Sequence, residues 1–248
     1  MAEYFARDYS GGDFVLFGRD HLIGLALIAL ACLAIWLLRR RWTPRGQKIT
    51  RWVFLGVIYA CEGSWHIWML ATGQWNIQVM LPLWVCSLTA WTMPLLLIWR
   101  SRRYYEWAYF MGILGALMAL LTPDLMNYGF PHFRFIEFMT LHGMLVIATV
   151  YMTVVEGFRP TWGSLGRVWL FTNLYWLFCA GVNSLIGSNY LYTHGKLPTP
   201  SLLDLLGPHP WYLLWMEVIG IALALLMYLP YALRDRAGRK ALARTTQA

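Results

Sequence analysis

A few side chains able to do chemistry lie inside long apolar stretches of the chain: His21, Glu62, His66, Glu137, His142 and Glu217, with Cys86 and Asn183 as less costly polar companions. An ionisable group in hydrocarbon is expensive, so each of these is a functional candidate by default. Cys86 is the natural nucleophile. A thiol attacks an acyl carbonyl as the thiolate and needs a base or a positive neighbour to form it. His142 is the candidate base. Glu62 and His66 stand four apart, which puts them on one helix face, where the carboxylate can fix the imidazole tautomer. Glu62, His66 and Glu217 are therefore the candidate orienting or proton-relay groups. A developing oxyanion needs donors, and Ser87, Asn183 and Tyr190 are the candidates. The cysteines Cys32, Cys61, Cys86 and Cys179 contain no C-x-x-C spacing, so neither a metal site nor a cofactor is expected. A haem held by His66 and His142 would lack a second His pair at the other leaflet. A retinal Schiff base is excluded, because Lys48, Lys196 and Lys240 all fall between the apolar stretches.

The elements that must position these groups are membrane helices. The chain has 248 residues, of which 59% are hydrophobic and only 13% charged. Soluble domains carry roughly 25% charged residues. Stretches of about 20 apolar residues, long enough to cross a bilayer, run over 20–38, 51–72, 78–98, 105–122, 135–155, 166–188 and 211–233. The reading is an all-α polytopic protein of seven transmembrane helices in a single domain over 1–248, with a leader (1–19) and a basic tail (234–248). The leader carries acids as well as arginines, the reverse of a signal peptide's positive opening.

Orientation follows from the basic residues. Most of the 20 lie in the first, third and fifth connections and the tail: Arg39, Arg40, Arg41, Arg45, Lys48 and Arg51; then Arg100, Arg102 and Arg103; then Arg159 and Arg167; then Arg234, Arg236, Arg239, Lys240 and Arg244. The other side holds Arg7, Arg19, Arg134 and Lys196. The positive-inside rule puts the amino terminus outside and the carboxy terminus in the cytoplasm, as expected for a protein of the cell (inner) membrane. The formal charge of +8 is then met by anionic headgroups, so phospholipids are the expected partners and nucleic acid is not. Nothing in the sequence fixes the oligomeric state. Spans 1 and 5 both open with His, spans 2 and 6 with Arg and a later Tyr (Arg51/Tyr59, Arg167/Tyr175), and spans 3 and 7 carry Pro82 and Pro210. A parallel 3+1+3 repeat would account for this.

At a rise of about 1.5 Å per residue, Cys86, His142, His66 and Glu217 each lie roughly 9–12 Å below the outer face, and Glu62 about 15 Å. Asn183 falls at a similar depth from the end of its span. The inner halves of the spans hold almost nothing ionisable, so the expectation is one polar cavity in the outer half. The segment 189–210, with Asn189, Tyr190, His194, Asp204 and His209, would cap it as a lid or serve as a polar connector with short helices.

Four stretches resemble a known family. They are Phe17-Gly18-Arg19-Asp20-His21; Leu81-Pro82-Leu83-Trp84-Val85-Cys86-Ser87-Leu88; the block from Leu121-Thr122-Pro123-Asp124 through Phe130-Pro131-His132-Phe133-Arg134-Phe135 to Leu141-His142-Gly143; and the run from Asn189-Tyr190-Leu191-Tyr192 to Pro200-Ser201-Leu202-Leu203-Asp204-Leu205-Leu206-Gly207-Pro208. They resemble the bacterial YwaF-like integral membrane proteins, related to the eukaryotic transmembrane protein 164. The resemblance implies a phospholipid acyltransferase working through a membrane Cys and a His, which map to Cys86 and His142. Trp84 stands where the bacterial pattern commonly carries a polar residue. Two functions are thus expected to compete: a lipid acyl-transfer enzyme passing an acyl group from phospholipid to lysolipid or water, and a transporter or lipid- or solute-binding bundle whose carboxylates carry protons.

Overall fold

The computed structural model describes residues 2–125, 127–196 and 202–246. Pro200 and Ser201 of the late motif lie outside the described residues, as do the side chains of Arg239, Lys240 and Arg244 in the tail. Every regular element is helical among the described residues. The chain divides into two compact units, residues 1–158 and 159–248, and each is described by itself.

The first unit contains α1 (Arg19–Leu38), α2 (Pro44–Ala71), α3 (Ile77–Met80), α4 (Val85–Thr92), α5 (Pro94–Leu97), α6 (Arg102–Trp107), α7 (Ile113–Leu121) and α8 (Phe133–Val154). A π turn, Ala108–Gly112, joins α6 to α7. The second unit contains α9 (Trp162–Ile186) and α10 (Trp211–Thr246), with single 3-10 turns at Tyr190–Tyr192 and Leu202–Leu206 between them. Six of these helices are long and apolar enough to cross a membrane: α1, α2, the continuous run Arg102–Leu121, α8, α9 and α10 up to Ala237. The tail is thus a continuation of α10 rather than a separate segment.

The expected third span, 78–98, is not one helix. It breaks into α3, α4 and α5, and proline explains both breaks. Pro82 lacks the N–H that would continue α3, and Pro94 sits at the first position of α5, where a missing N–H costs nothing. The indole of Trp84 bridges the first break by donating to the Val79 carbonyl at 3.0 Å. The third member of the suggested repeat is therefore broken in one half and, in α10, continuous in the other.

In the first unit α8 is the centre. Its most apolar window is 72% buried, against 11% for that of α1. Small residues permit close crossings. A Cβ on Gly143 would meet Ile28 of α1 at 2.8 Å, and one on Gly24 would meet the flexible end of Met139. The pairs Gly24/Met139 and Ile28/Gly143 run in the same order, so α1 and α8 are parallel. The rings of Trp68 and Phe133 pack together, as do those of Phe54 and Tyr151, so α2 runs antiparallel to both. His21 ties the start of α1 to the end of α7. Its Nε2 donates to the Leu120 carbonyl at 2.7 Å, while Nδ1 accepts from the Phe17 amide. Both ring nitrogens are engaged, which makes His21 a structural clasp.

The opposite end is closed by charge. Glu156, just beyond α8, pairs with Arg51 of α2 and with Arg100 Nη2 at 2.7 Å. Glu106 of α6 is also buried. The expectation of an inner half almost free of ionisable groups thus fails here, because Glu106 and Glu156 sit close to predicted span ends and read as interfacial in the sequence. The Glu156 side chain is 1% exposed and that of Arg100 50%. Replacing the buried partner of an ion pair strands its mates at a cost of roughly 3 kcal/mol, whereas removing a half-exposed one costs about 1 kcal/mol or less. Thermal unfolding in detergent should accordingly show a large drop in midpoint for Glu156→Ala and a small one for Arg100→Ala. Equal drops would mean the cluster does not hold this end together.

Candidate functional site

Cys86 and Ser87 open α4 directly after the Leu81–Trp84 break. A glycine makes room for the thiol: a Cβ on Gly115 of α7 would lie 3.4 Å from Cys86 Sγ and 3.1 Å from Val85. One turn along, Thr89 anchors α4 to the π turn. Its hydroxyl accepts from the Trp107 indole at 3.3 Å, its carbonyl accepts from the Tyr104 hydroxyl at 2.9 Å, and its methyl packs beside Gly112. The start of α4 is thereby held from behind.

Facing it, Glu62 of α2 is 1% exposed. The Ser87 hydroxyl and the Trp91 indole are close enough to act on its carboxylate, although neither forms a well-aligned hydrogen bond. Cys86 and Glu137 are both within electrostatic reach of Glu62. One turn further along α2, His66 Nε2 lies 3.9 Å from Glu62 Oε1. The tautomer follows from the other nitrogen: Nδ1 accepts from the Trp75 indole at 3.1 Å, so a neutral ring carries its proton on Nε2, directed at the carboxylate. Glu62 and His66 thus face each other without a hydrogen bond, and the ring's one hydrogen bond among the described residues is to Trp75.

On α8, Glu137 is 3% exposed and pairs with Arg134 one turn back. The guanidinium lies 3.8 Å from the centre of the Trp65 ring and 4.9 Å from that of Phe138, so it is held by stacking as well as by charge. Its other electrostatic partner is Glu62. Among the outer basic residues Arg134 is thus an intrahelical partner rather than a loop cation, and its i, i+3 spacing to Glu137 is the signal in the sequence for this pair.

His142 lies deeper on α8. Its Nδ1 donates to the Phe138 carbonyl at 2.8 Å, and its ring packs against Phe138. That bond places the proton on Nδ1 and leaves Nε2 as a free acceptor. No hydrogen bond joins Cys86 to His142 among the described residues.

In the second unit the remaining candidates serve other partners. Glu217 of α10 accepts from Trp169 and from Asn173 Nδ2, the latter at 3.1 Å. Asn173 is near the midpoint of α9, so Glu217, seven residues into α10, is level with the middle of α9. The reason is an offset: Trp162 packs on Tyr228, and Arg159 pairs with Asp235, which sets α10 lower along α9 than equal span lengths predict. The Asn183 amide is fully engaged, donating to the Tyr190 carbonyl at 2.8 Å and to Thr193 Oγ1 at 2.7 Å, and accepting from Ser188 Oγ and the Tyr190 amide. It shapes the turn that buries Tyr190 and has no donor left for an oxyanion.

The leader closes over the first unit beside the Arg134 group. Three successive carbonyls are each held by an aromatic donor: Phe5 by the Trp68 indole at 2.9 Å, Ala6 by His132 Nε2 at 3.0 Å and Arg7 by the Tyr128 hydroxyl at 2.9 Å. His132 also caps α8 by accepting the Arg134 amide on Nδ1, and it stacks on Tyr128 with centroids 4.2 Å apart. The residue was visible in sequence only within a motif.

A helical bundle whose ionisable groups are gathered between apolar helices is a multi-pass membrane protein. Residues 16–228 match the TMEM164 family, and the chain belongs to that family. Neither a curated protein nor a solved structure matches it.

Burial pushes His132 below the ordinary imidazole range, the Arg134 charge adds to this, and the bond to the Ala6 carbonyl opposes it. A lowered folded value means that docking favours the neutral ring. The contribution is complete above the ordinary value of 6.5 and is lost as pH falls through it toward the lower docked value. A spin label at Glu3→Cys should gain mobility between about pH 7.5 and about pH 5, and His132→Gln should abolish that step. A step of the same size in His132→Gln would assign it to another group.

Proposed function

We propose that this protein moves acyl groups of membrane phospholipids through a thioester on Cys86, with His142 and the Glu62–His66 pair handling protons. The observation that carries the reading is the setting of Cys86. It is a thiol at the head of a short helix inside a broken apolar segment, braced by Gly115 and Thr89 and beside the buried Glu62. Membership of the TMEM164 family supports it. In the proposed step the Cys86 proton passes to a base. The sulfur bonds to the ester carbonyl carbon, the C–O bond to glycerol breaks, and the departing lysophospholipid alkoxide takes the proton. A lysolipid hydroxyl or water then releases the acyl group by the reverse sequence.

The free Nε2 of His142 suits it to be that base, and a rotation of its ring or of Cys86 is needed to bring the two into contact. Glu62, with His66 behind it, supplies a path from the buried site toward the Trp75 loop. Ser87 is the donor at hand for an oxyanion. The same reading makes the broken segment 77–97 a seventh crossing. Trp75 meets His66 near the end of α2, while Arg100 shares Glu156 with Arg51 near the start of α2. With the basic residues gathered at the Arg51 end, the amino terminus is extracytoplasmic and the membrane is the cell's inner one.

A second reading has its own observation. Neither oxygen of Glu62 is hydrogen-bonded, nor is Oε1 of Glu137. In a binding or transport bundle these two carboxylates would carry a proton or a cation.

The purified protein in nanodiscs containing radiolabelled phospholipid should acquire a hydroxylamine-sensitive acyl group that maps to Cys86. Cys86→Ser should lose the thioester, and His142→Gln should slow its formation by roughly 10²–10⁴, the usual worth of a general base. A thioester absent from the wild type, or formed at an unchanged rate in His142→Gln, would sink the enzyme reading. In the binding reading, Glu62→Gln alters ion-dependent behaviour of the protein while Cys86→Ser is silent.

A further inference from the structure

A second nucleophile–base pair stands in the unit formed by α9 and α10, apart from Cys86. Ser184 lies in the last turn of α9. Its Oγ is 2.9 Å from His194 Nε2, and the other ring nitrogen, Nδ1, is 2.7 Å from Thr193 Oγ1. The ring is thus held at both nitrogens. Its main chain is fixed as well: the His194 amide donates to Asn189 Oδ1 at 2.9 Å, and Asn189 Nδ2 donates to the Gly195 carbonyl at 2.8 Å. Thr193 is buried and is itself anchored by Asn183. This is the order of roles that an activated serine requires: hydroxyl, imidazole, and a third group that orients the imidazole.

Two features argue against a purely structural clasp. Ser184 and His194 are exposed, whereas the clasping residues Asn183 and Thr193 are buried. Ser184 also has an alternative acceptor for its proton, the Ala180 carbonyl at 3.0 Å, so its fold does not depend on His194. Directly below the hydroxyl, Gly181 is exposed with open space where a side chain would project. Leu177, Phe178 and Leu185 beside it are exposed and apolar. An acyl chain laid along this strip would bring its carboxyl end to Ser184.

We propose that Ser184, activated by His194, is an acyl-accepting serine directed at ester-linked fatty acyl groups. In the step, Ser184 Oγ bonds to the ester carbonyl carbon as its proton passes to His194 Nε2. The C–O bond to the alcohol breaks, and the imidazolium protonates the leaving alkoxide. Water then hydrolyses the acyl-serine by the same path, releasing a fatty acid and restoring both residues. Thr193, which acts through the ring and is held by Asn183, is a positioning residue.

The test uses the full-length protein in lipid nanodiscs and a long-chain fluorophosphonate, which an activated serine attacks with loss of fluoride. Mass spectrometry of the peptides locates the adduct. Wild type should carry it on Ser184, Ser184→Ala should not, His194→Gln should label at least roughly tenfold more slowly, and Cys86→Ser should label as wild type. Thr193→Val should keep the adduct but shift the pH profile of its formation. An unmodified Ser184 in the wild type overturns the proposal, and so does labelling undiminished in His194→Gln. Because Ser184 is exposed, its Ala variant leaves packing intact, and an unchanged unfolding midpoint verifies this. The outcome is independent of the thioester on Cys86, so either assignment can fail alone.

Discussion

The ion pair between Arg134 and Glu137, one turn apart on the most buried helix of the first unit, sets the electrostatics of everything around it. A carboxylate in a low-dielectric interior is stabilised only by a nearby positive charge or by several donors. Arg134 supplies that charge to Glu137 through direct contact, and to Glu62 only at longer range. Two carboxylates therefore share one guanidinium, and the second is left with incomplete satisfaction from Ser87, Trp91 and His66. That imbalance is costly to folding, and it leaves both Glu62 oxygens without a hydrogen-bond partner. The aromatic rings of Trp65 and Phe138 hold Arg134 in place without drawing its charge away from the acids.

Helix breaks put the remaining functional groups where this charge can act. Pro82 ends α3 and frees the chain to restart as α4 at Val85, so Cys86 and Ser87 occupy a helix beginning inside the apolar segment. A continuous helix would satisfy its amides internally at that position. A helix start leaves the first amides without intrahelical partners, and irregular backbone at membrane depth is tolerated where it lines protein or a cavity. The π turn at Ala108–Gly112 belongs to the same design. It widens the opposing helix at Gly112, where Thr89 is received, and Gly115 one turn later admits the thiol.

The sequence makes the long spans legible because about twenty apolar residues in a row have few other uses, and the i, i+4 spacing of Glu62 and His66 is enough to place them on one helix face. Lateral placement is not legible in the same way. Depth counted from predicted span ends assumes that helices begin level, and the offset of α10 along α9 moved Glu217 to Asn173. Asn183 illustrates a different limit. Its residue type suits an oxyanion donor, but the positive-φ turn at Gly187 folds the following chain back onto it, and residues 188–193 consume every hydrogen bond it can make. His142 shows a third. The sequence places it ten residues into its span-forming helix, whereas its rotamer, set by the Phe138 carbonyl one turn back, decides which nitrogen is left as an acceptor.

Both units solve the same problem at their polar ends, with opposite consequences for access. In the first, the leader's short 3-10 helix ends at Phe5, and the carbonyls of residues 5–7 are taken up by Trp68, His132 and Tyr128. These donors come from the ends of the elements that carry Glu62 and Arg134, so any motion of the leader is felt as a loss of partners directly above those charges. In the second, residues 188–195 are fixed chiefly by the side chains of Asn183 and Asn189, with Tyr212 and His209 adding bonds to the Tyr192 and Thr193 carbonyls. These bonds leave Ser184 and His194 exposed on the outer surface of the turn. A charge cluster covered by the leader and an uncovered hydroxyl–imidazole pair on a hydrogen-bonded turn are therefore different kinds of site.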